Sequence, residues 1–525
     1  MSLNLTLEQA RTLAKNHRVV PVIETLFSGT ETPLSIFEKL AGDKRGSFLL
    51  ESAEQGVWAR YSFIGVKNRG MLMQSSTATG AGEVRWVSPT GASPLPDASC
   101  GPLATTAIAA VDQIQKCWNT PTIEGVPPLT SGLVGVMGWN LIREIENLPN
   151  RPAADFDSPI LALAMFEDLV IVDHLTSSLL LVANIFVTEG VDFDAAYAES
   201  IVRIAALRAG IAKPTQAHLA DLNLTTEISP KHRVSQDEFL EWVEKAKHYV
   251  RIGDVFQVVI SQRFDAECLA TPLEVYRVLR ALNPSPYMYL LNFEDETGPY
   301  AVVGSSPEAL VKVQGKRAIT HPIAGSRPRG SDVDADIAHA ESLLADAKEK
   351  SEHLMLVDLA RNDLLKVCEP SSVNVTEFMK IERYSHIMHL VSTVEGTVRD
   401  DQSAVDVFRA TFPAGTLSGA PKPRALEIID ELEVADRGVY GGVVGYFDFA
   451  GNADLAIAIR SAFIRDGRAY VQAGAGLVLD SVPESEYLET VAKAGAPMRA
   501  VFAANSIAAA ARPVDVAAVN DSKGH

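Results

Sequence analysis

Two Glu-x-x-Glu pairs, Glu349/Glu352 and Glu486/Glu489, carry the spacing with most chemical content in this chain. Each falls in a segment that reads as helix, and i,i+3 spacing sets both carboxylates of a pair on one face. If the two helices face each other, four carboxylates converge. A hard divalent cation with oxygen ligands, Mg²⁺ above all, would relieve their repulsion. The spacing alone fits solvated helix faces equally. The first pair, however, continues a stripe through Leu356, Leu359 and Asp363, and buried carboxylates require a cation or hydrogen-bond donors. The second pair leads to Lys493 and Ala496, a mixed face.

A second constellation is cationic. The β-like runs Leu455–Ile464 and Arg468–Leu477 flank Asp466-Gly467, a two-residue hairpin turn that sets Arg460 opposite Ala473. A guanidinium then lies beside Gly474-Ala475-Gly476, where small residues let backbone N–H groups approach a ligand. Together they suit a carboxylate. The alternative is a structural ion pair at Arg460 and a bulge at the glycines. The Gly/Ser/Thr-rich loop Gly415–Lys422 precedes a helix over Arg424–Leu432 and can present N–H and hydroxyl groups to an anion. It lacks the order of a P-loop, and no Gly-x-Gly-x-x-Gly follows a strand, so neither ATP nor NAD is supported. His386 and His389 share one short segment. The apolar neighbours of His389 predict partial burial and a shifted pKa.

These residues need elements to hold them. Gly46–Leu50, Gly132–Met137 and Leu161–Val172 read as strands, and Asp192–Ala209 as a helix capped by Gly210. Trp86–Leu103 reads as a loop. Ala212–Val234, with Pro214 and Pro230, reads as a linker between an N-terminal region (1–211) and a catalytic region (235–505). Ser235 and Glu238 form a capping-box pattern before the stripe Phe239, Trp242, Val243, Ala246 and Val250, with Gly253 as the C-terminal stop. A strand, Val255–Phe264, follows. From Ser506 the Ala-rich, then polar tail reads as disordered (506–525).

Composition narrows the class. With 525 residues, 47% hydrophobic and 22% charged, the chain is an ordinary soluble globular protein. A net charge of −19 without a basic stripe argues against nucleic acid. Cys100, Cys117, Cys268 and Cys368 have no Cys-x-x-Cys spacing, which fits a reducing compartment and gives no zinc site. No secretory leader and no membrane span is evident, so a cytoplasmic protein is expected.

Longer motifs bring a resemblance into view. Pro322–Gly330 (Pro-Ile-Ala-Gly-Ser-Arg-Pro-Arg-Gly), Glu352–Asp363, Gly415–Lys422, Tyr440–Tyr446 and Gln472–Gly476 resemble the chorismate-utilising enzymes, and more closely the large subunits (component I) of anthranilate synthases. The resemblance is strong over Ser235–Ala504 and weaker through Leu49–Ser52 and Arg60–Ser62. It implies an α/β (α+β) fold, a composite two-lobed sandwich of mostly antiparallel sheets flanked by helices. The implied reaction is Mg²⁺-dependent amination of chorismate at C2, loss of its 4-hydroxyl, and elimination of pyruvate to give anthranilate, the first step of tryptophan biosynthesis.

On that resemblance, Glu352 and Glu489 bind Mg²⁺ with Glu349 and Glu486 in support. Arg460 with Gly474, Ala475 and Gly476 holds the enolpyruvyl carboxylate. Gly325, Ser326, Thr416 and Tyr440 match substrate contacts, with Thr416 grouped among the catalytic positions. Glu308 matches the general acid for the leaving hydroxyl, which needs a pKa raised by neighbouring carboxylates and burial. His389 matches the histidine of pyruvate elimination. Gln257 stands where isochorismate and salicylate synthases carry a water-activating Lys, and Ala324 where aminodeoxychorismate synthases carry a nucleophilic Lys. Both absences favour amination at C2. Ser326 replaces the usual Thr, and Trp139-Asn140 replaces Tyr-Asp. No Gly-x-Cys-x-Gly nucleophile is present, so ammonia must come from a separate glutamine amidotransferase subunit or from solution. Ser52, Pro286, Tyr287 and Met288 match a feedback site for tryptophan; the plain alternative is a strand end and a turn. Two other readings remain: an aminodeoxyisochorismate synthase lacking the lyase step, and a non-catalytic tryptophan-binding regulator.

Overall fold

A computed structural model describes residues 3–511 apart from 43, 53–59, 78–79, 90–99, 216–218, 224–226 and 384–386. Among the described residues, twenty-two strands join in one hydrogen-bonded network, and every pairing is antiparallel. Helices cover its faces. The network runs across the expected 212–234 boundary. Gly132–Met137 pairs with Val443–Asp448, and Ser47–Glu51 with Tyr287–Asp295. The core is shared likewise: Leu161 and Trp118 lie in one buried cluster with Val258, Leu426 and Leu455.

Several elements follow their sequence signals. Gly132–Met137 is a strand, and Leu161–Val172 lies within the strand Ser158–Asp173. The helix Gln236–Arg251 starts on Ser235, whose hydroxyl accepts from the Glu238 N–H, and buries Phe239, Trp242, Val243 and Ala246. Gly253, at φ 86°, takes the left-handed conformation that ends it.

Other expectations are corrected. Gly210 does not cap its helix, which runs from Phe193 to Ile211 with Asp192 as N-cap. A Cβ at Gly210 would lie 2.4 Å from Leu40 Cδ2, so the glycine admits the neighbouring helix instead. Trp86 belongs to a short strand, Arg85–Val87, because its indole is buried against Gly70. Lys231–His232, inside the expected linker, pairs with Phe264 and Asp265. Gly415–Ser418 is one helical turn and Gly419–Ala420 a strand fragment on Gln257–Val258, so the expected loop is largely structured. The helix after it spans Lys422–Leu432.

Cys100 and Cys117 form a disulfide, which the reading of a reducing compartment did not anticipate; Cys117 ends the helix Ala107–Cys117. Cys268 and Cys368 are free and buried. The last helix runs from Pro483 to Ala511, past the expected boundary at Ser506, since its alanines favour helix. Residues 512–525 and His386 lie outside the described residues. Among the described residues, no helix is long and apolar enough to cross a membrane.

Candidate active site

The two Glu pairs do face one cavity, of about 580 Å³. Glu349 and Glu352 project from the helix Ala347–Leu365, Glu486 and Glu489 from the helix starting at Pro483. Glu352 is pushed above the usual carboxylate range by burial, then by Glu349 and Glu489, while Gln257 Nε2 donates to its Oε1 at 3.2 Å. Glu486 is pushed up by burial and by Glu489. The second helix is mixed as its periodicity implies: Glu486 is buried and Glu489 exposed.

This donor set has the chemistry of a hard-cation site, with mutually repelling carboxylates on facing helices. Among the described residues, no three acidic, histidine or cysteine side chains are gathered closely enough to hold a metal ion in the arrangement seen. Two of the four carboxylates are turned to cations of the chain. Arg327 Nη1 donates to Glu349 at 3.3 Å, and Lys493 Nζ lies 2.7 Å from Glu489.

The cationic wall differs in backbone from expectation. The Asp466-Gly467 turn is tight, with both residues at positive φ, and Arg465 pairs with Arg468. The run Leu455–Ile464 is nonetheless two strands, Ala453–Ile457 and Ser461–Arg465. The first pairs with Ala309–Gln314 and Val443–Asp448, the second with Gly298–Ser306, so the chain must step between sheet neighbours at Ala458–Arg460. Arg460 sits in that step at φ 52°, outside the ladder. A non-glycine residue held there is strained backbone at a cavity wall. Burial lowers its guanidinium pKa, and among the described residues it has no ion pair. Gly474 and Gly476 are not a free cradle. They pair with Ser261 and Val259, Gly474 N–H serves Tyr440 Oη, and a Cβ at Gly476 would meet Gln257 Nε2 at 2.5 Å.

Glu308, Thr416 and His389 complete the cavity. Glu308 is buried, accepts from Thr416 Oγ1 at 3.1 Å, and its carboxyl is pushed up to about 8. The cause is burial; no neighbouring carboxylate contributes, which corrects half of the expectation. His389 lies opposite Ser326, its Nδ1 3.1 Å from Gly325 O, and burial lowers its pKa. Gly325, at φ 65°, forms a bulge there; a Cβ would come 2.8 Å from Glu349 Oε2. Ala324 and Ser326 line the same cavity.

The strand register also joins the second expected site. Glu51 pairs with Met288, so Ser52 and Tyr287 come next in line. The Ser52 hydroxyl oxygen is buried and has no hydrogen-bond partner among the described residues. Trp139-Asn140 gains a physical reading: Asn140 Nδ2 donates to the buried Asp436 carboxylate, and the Trp139 ring lies 4.3 Å from the Arg437 guanidinium. Sequence reasoning missed Lys493 as a cavity residue, whose Nζ also donates to Gly474 O at 3.0 Å. The legible signal was its place four residues after Glu489.

A family model described as chorismate binding enzyme matches residues 84–499. Anthranilate synthase component 1 of Arthrobacter globiformis is 50% identical over 510 residues, covering 95% of this chain and 93% of that protein. That of Mycolicibacterium smegmatis is 46% identical over 509 residues, covering 95% and 94%. Among solved structures, anthranilate synthase component I of Streptococcus pneumoniae aligns with TM-score 0.70 at 33% identity, covering 85% of this chain and 93% of that one. A menaquinone-specific isochorismate synthase of Escherichia coli shares the fold at TM-score 0.64 and 18% identity, covering 94% and 98%. The chain belongs to the chorismate-binding enzyme family.

Proposed function

We propose that this protein is the chorismate-utilising subunit of an anthranilate synthase, a cytoplasmic lyase that aminates chorismate at C2 and eliminates pyruvate to yield anthranilate for tryptophan biosynthesis. One observation carries the reading: a buried, neutral carboxyl (Glu308) and a buried guanidinium without an ion pair (Arg460) share a cavity. Chorismate carries two carboxylates, a departing hydroxyl and no phosphate, and that pairing suits it.

Arg460 grips the enolpyruvyl carboxylate from a fixed backbone. Glu352 and Glu489, with Glu349 and Glu486 behind them, would hold Mg²⁺, which when bound supplies positive charge for the ring carboxylate and the leaving oxygen. Glu308 gives its proton to the 4-hydroxyl, with Thr416 orienting the carboxyl. His389, neutral through burial, faces the elimination step. Gln257 occupies its place as an amide tied to Glu352 and cannot take a proton from water, which disfavours hydroxylation. Ammonia comes from a separate glutamine amidotransferase subunit, so a hetero-oligomer is expected. Tryptophan binds at Ser52, Pro286, Tyr287 and Met288 as the inhibitor.

The test is anthranilate fluorescence from purified protein given chorismate, ammonium salt and Mg²⁺. Chelation should stop the signal, and Glu352→Gln or Glu489→Gln should abolish it while sparing tryptophan binding. An aminated intermediate that accumulates without anthranilate would remove the lyase half. Turnover indifferent to chelation would remove the metal.

A further inference from the structure

The walls of the large cavity rest on a second layer of side chains, and one support in that layer is ionic. Glu433 and Arg437 are buried and paired with each other. Arg437 Nε donates to Glu433 Oε2 at 2.9 Å, and Nη2 donates to Oε1 at 2.6 Å. The guanidinium has two further acceptors: Nη1 donates to Leu417 O at 2.7 Å and Nη2 to Val259 O at 2.8 Å. The Glu433 carboxylate also accepts from the Ser261 N–H and hydroxyl, both at 2.8 Å. Neither Glu433 nor Arg437 lines the cavity. A buried ion pair often adds little net stability over an apolar pair of the same volume. A planar guanidinium does, however, fix several oxygens relative to one another.

The three groups around Arg437 depend on it unequally. Val259 belongs to the strand Gln257–Glu267, which is already held along Val258–Glu267 by its ladder with Arg468–Leu477. The centre of the Tyr440 ring lies 5.6 Å from the guanidinium, near the outer limit of about 6 Å for a cation–π contact, and the Tyr440 hydroxyl is engaged separately by the Gly474 N–H. Leu417 is different. It sits in the single helical turn Gly415–Ser418, which has no side-chain cap. The residue four positions on, from which a helix would draw the donor for Leu417 O, is Pro421, and proline has no N–H. Arg437 supplies the missing donor, with a positive charge suited to the carbonyl end of the turn. Thr416, one residue earlier, carries the hydroxyl that donates to Glu308.

We propose that Arg437, clamped by Glu433, is a positioning residue for the reaction: through Leu417 O it holds the turn that sets the Thr416 hydroxyl against Glu308. The inference rests on the reading of Glu308 as general acid. The pair does not touch chorismate and moves no proton. With the clamp loosened, Thr416 no longer fixes the direction in which Glu308 offers its proton to the leaving hydroxyl. Misplacement at the reacting atoms slows the chemical step more than it weakens binding. Arg460, which grips a substrate carboxylate on the same reading, stands in the separate backbone step Ala458–Arg460, so binding should be spared.

The experiment is a double-mutant cycle on the full-length protein. It reads steady-state anthranilate formation from chorismate, ammonium salt and Mg²⁺, with melting temperature as the check on folding. Arg437→Lys keeps a charge against Glu433 but lacks the fork that also reaches Leu417 O. Its kcat should fall by about tenfold to a hundredfold, with the KM for chorismate within about threefold of wild type. Glu433→Gln keeps the side-chain shape while turning an amide toward the guanidinium. It should show the same split between kcat and KM, and it carries the cycle if Arg437→Lys does not fold. On a Thr416→Val background either change should cost less than about twofold in kcat, because the hydroxyl being positioned is gone. Wild-type kcat in the folded variants overturns the proposal. So do effects that multiply with Thr416→Val, and so does a rise in KM at unchanged kcat. Glu308→Gln separates the two levels. If it turns over normally, the acid assignment falls and the positioning role with it. If it loses turnover while the cycle is multiplicative, the positioning role alone falls.

Discussion

Glu308 is held as an acid by its surroundings rather than by a charged neighbour. In the folded protein its carboxyl is pushed to about 8 from an ordinary 4.5. Between those values the unfolded chain has released the proton and the folded chain keeps it. The folded state therefore binds more protons, and its stability declines as pH rises through that window. Glu308→Gln removes the liability. Its melting temperature relative to wild type should rise between pH 5 and pH 8, while kcat falls by about 10²–10⁴. Wild-type activity, measured at fixed free ammonia, should fall as pH rises through about 8. A melting-temperature difference that stays flat with pH would mean that Glu308 is ionised in the folded protein. The identity of this residue was legible through the family resemblance, which also named burial as one source of its pKa; the absence of any contribution from a neighbouring carboxylate was not legible, because which side chains pack around a group is set by tertiary packing that no local spacing encodes.

At the scale of elements, sequence patterns served where one periodicity ruled a whole segment. The helix Gln236–Arg251, with its serine cap, apolar stripe and terminal glycine, is such a case. They failed where the chain changes partner within a continuous apolar run. Leu455–Ile464 carries no breaker, yet it is divided because Ala453–Ile457 and Ser461–Arg465 serve different neighbours. Both Glu pairs were placed on helices correctly, but their facing one cavity depends on long-range packing. Gly445 tests the importance of this local fit. It sits in the strand Val443–Asp448 opposite Gly135 on one side and Leu455 on the other, and a Cβ would come 2.0 Å from Asp454 O. Backbone cannot yield as a flexible side chain does. The strand Ala453–Ile457 also holds Glu308, through Ile457 N–H donating to Glu308 O at 3.0 Å. Gly445→Ala should cost about 1–3 kcal/mol of stability in denaturant unfolding and reduce kcat through displacement of Glu308. Wild-type stability and kcat together would show that the strands have slack.

For the whole molecule, the sheet stitches residues before 212 to residues after 234, and on the proposed function this would give inhibition by tryptophan a route. Ser47–Glu51 pairs with Tyr287–Asp295, which pairs in turn with Gly298–Ser306. Tyr287 lies opposite Ser306, two residues before Glu308. A ligand lodged between Ser52 and Tyr287 is thus one ladder rung from the segment that carries the acid. Glu51, beside Ser52, is fixed by the Tyr276 hydroxyl at 2.8 Å and by both prongs of Arg280, and the buried Ser52 hydroxyl oxygen has no hydrogen-bond partner among the described residues. On the proposed function, tryptophan, with an ammonium to donate and a carboxylate to accept, would supply a partner. Ser52→Ala should then raise the tryptophan inhibition constant by about tenfold to a hundredfold, as expected for loss of one hydrogen bond to a charged group, and leave kcat and the KM for chorismate near wild type. Linkage adds a second readout: if tryptophan weakens chorismate binding by some factor, chorismate weakens tryptophan binding by the same factor. Titration of tryptophan with and without saturating chorismate measures it. An unchanged inhibition constant in Ser52→Ala would take Ser52 out of the site. A factor of one in the titration would leave tryptophan acting on the chemical step, at Glu308, rather than on substrate binding.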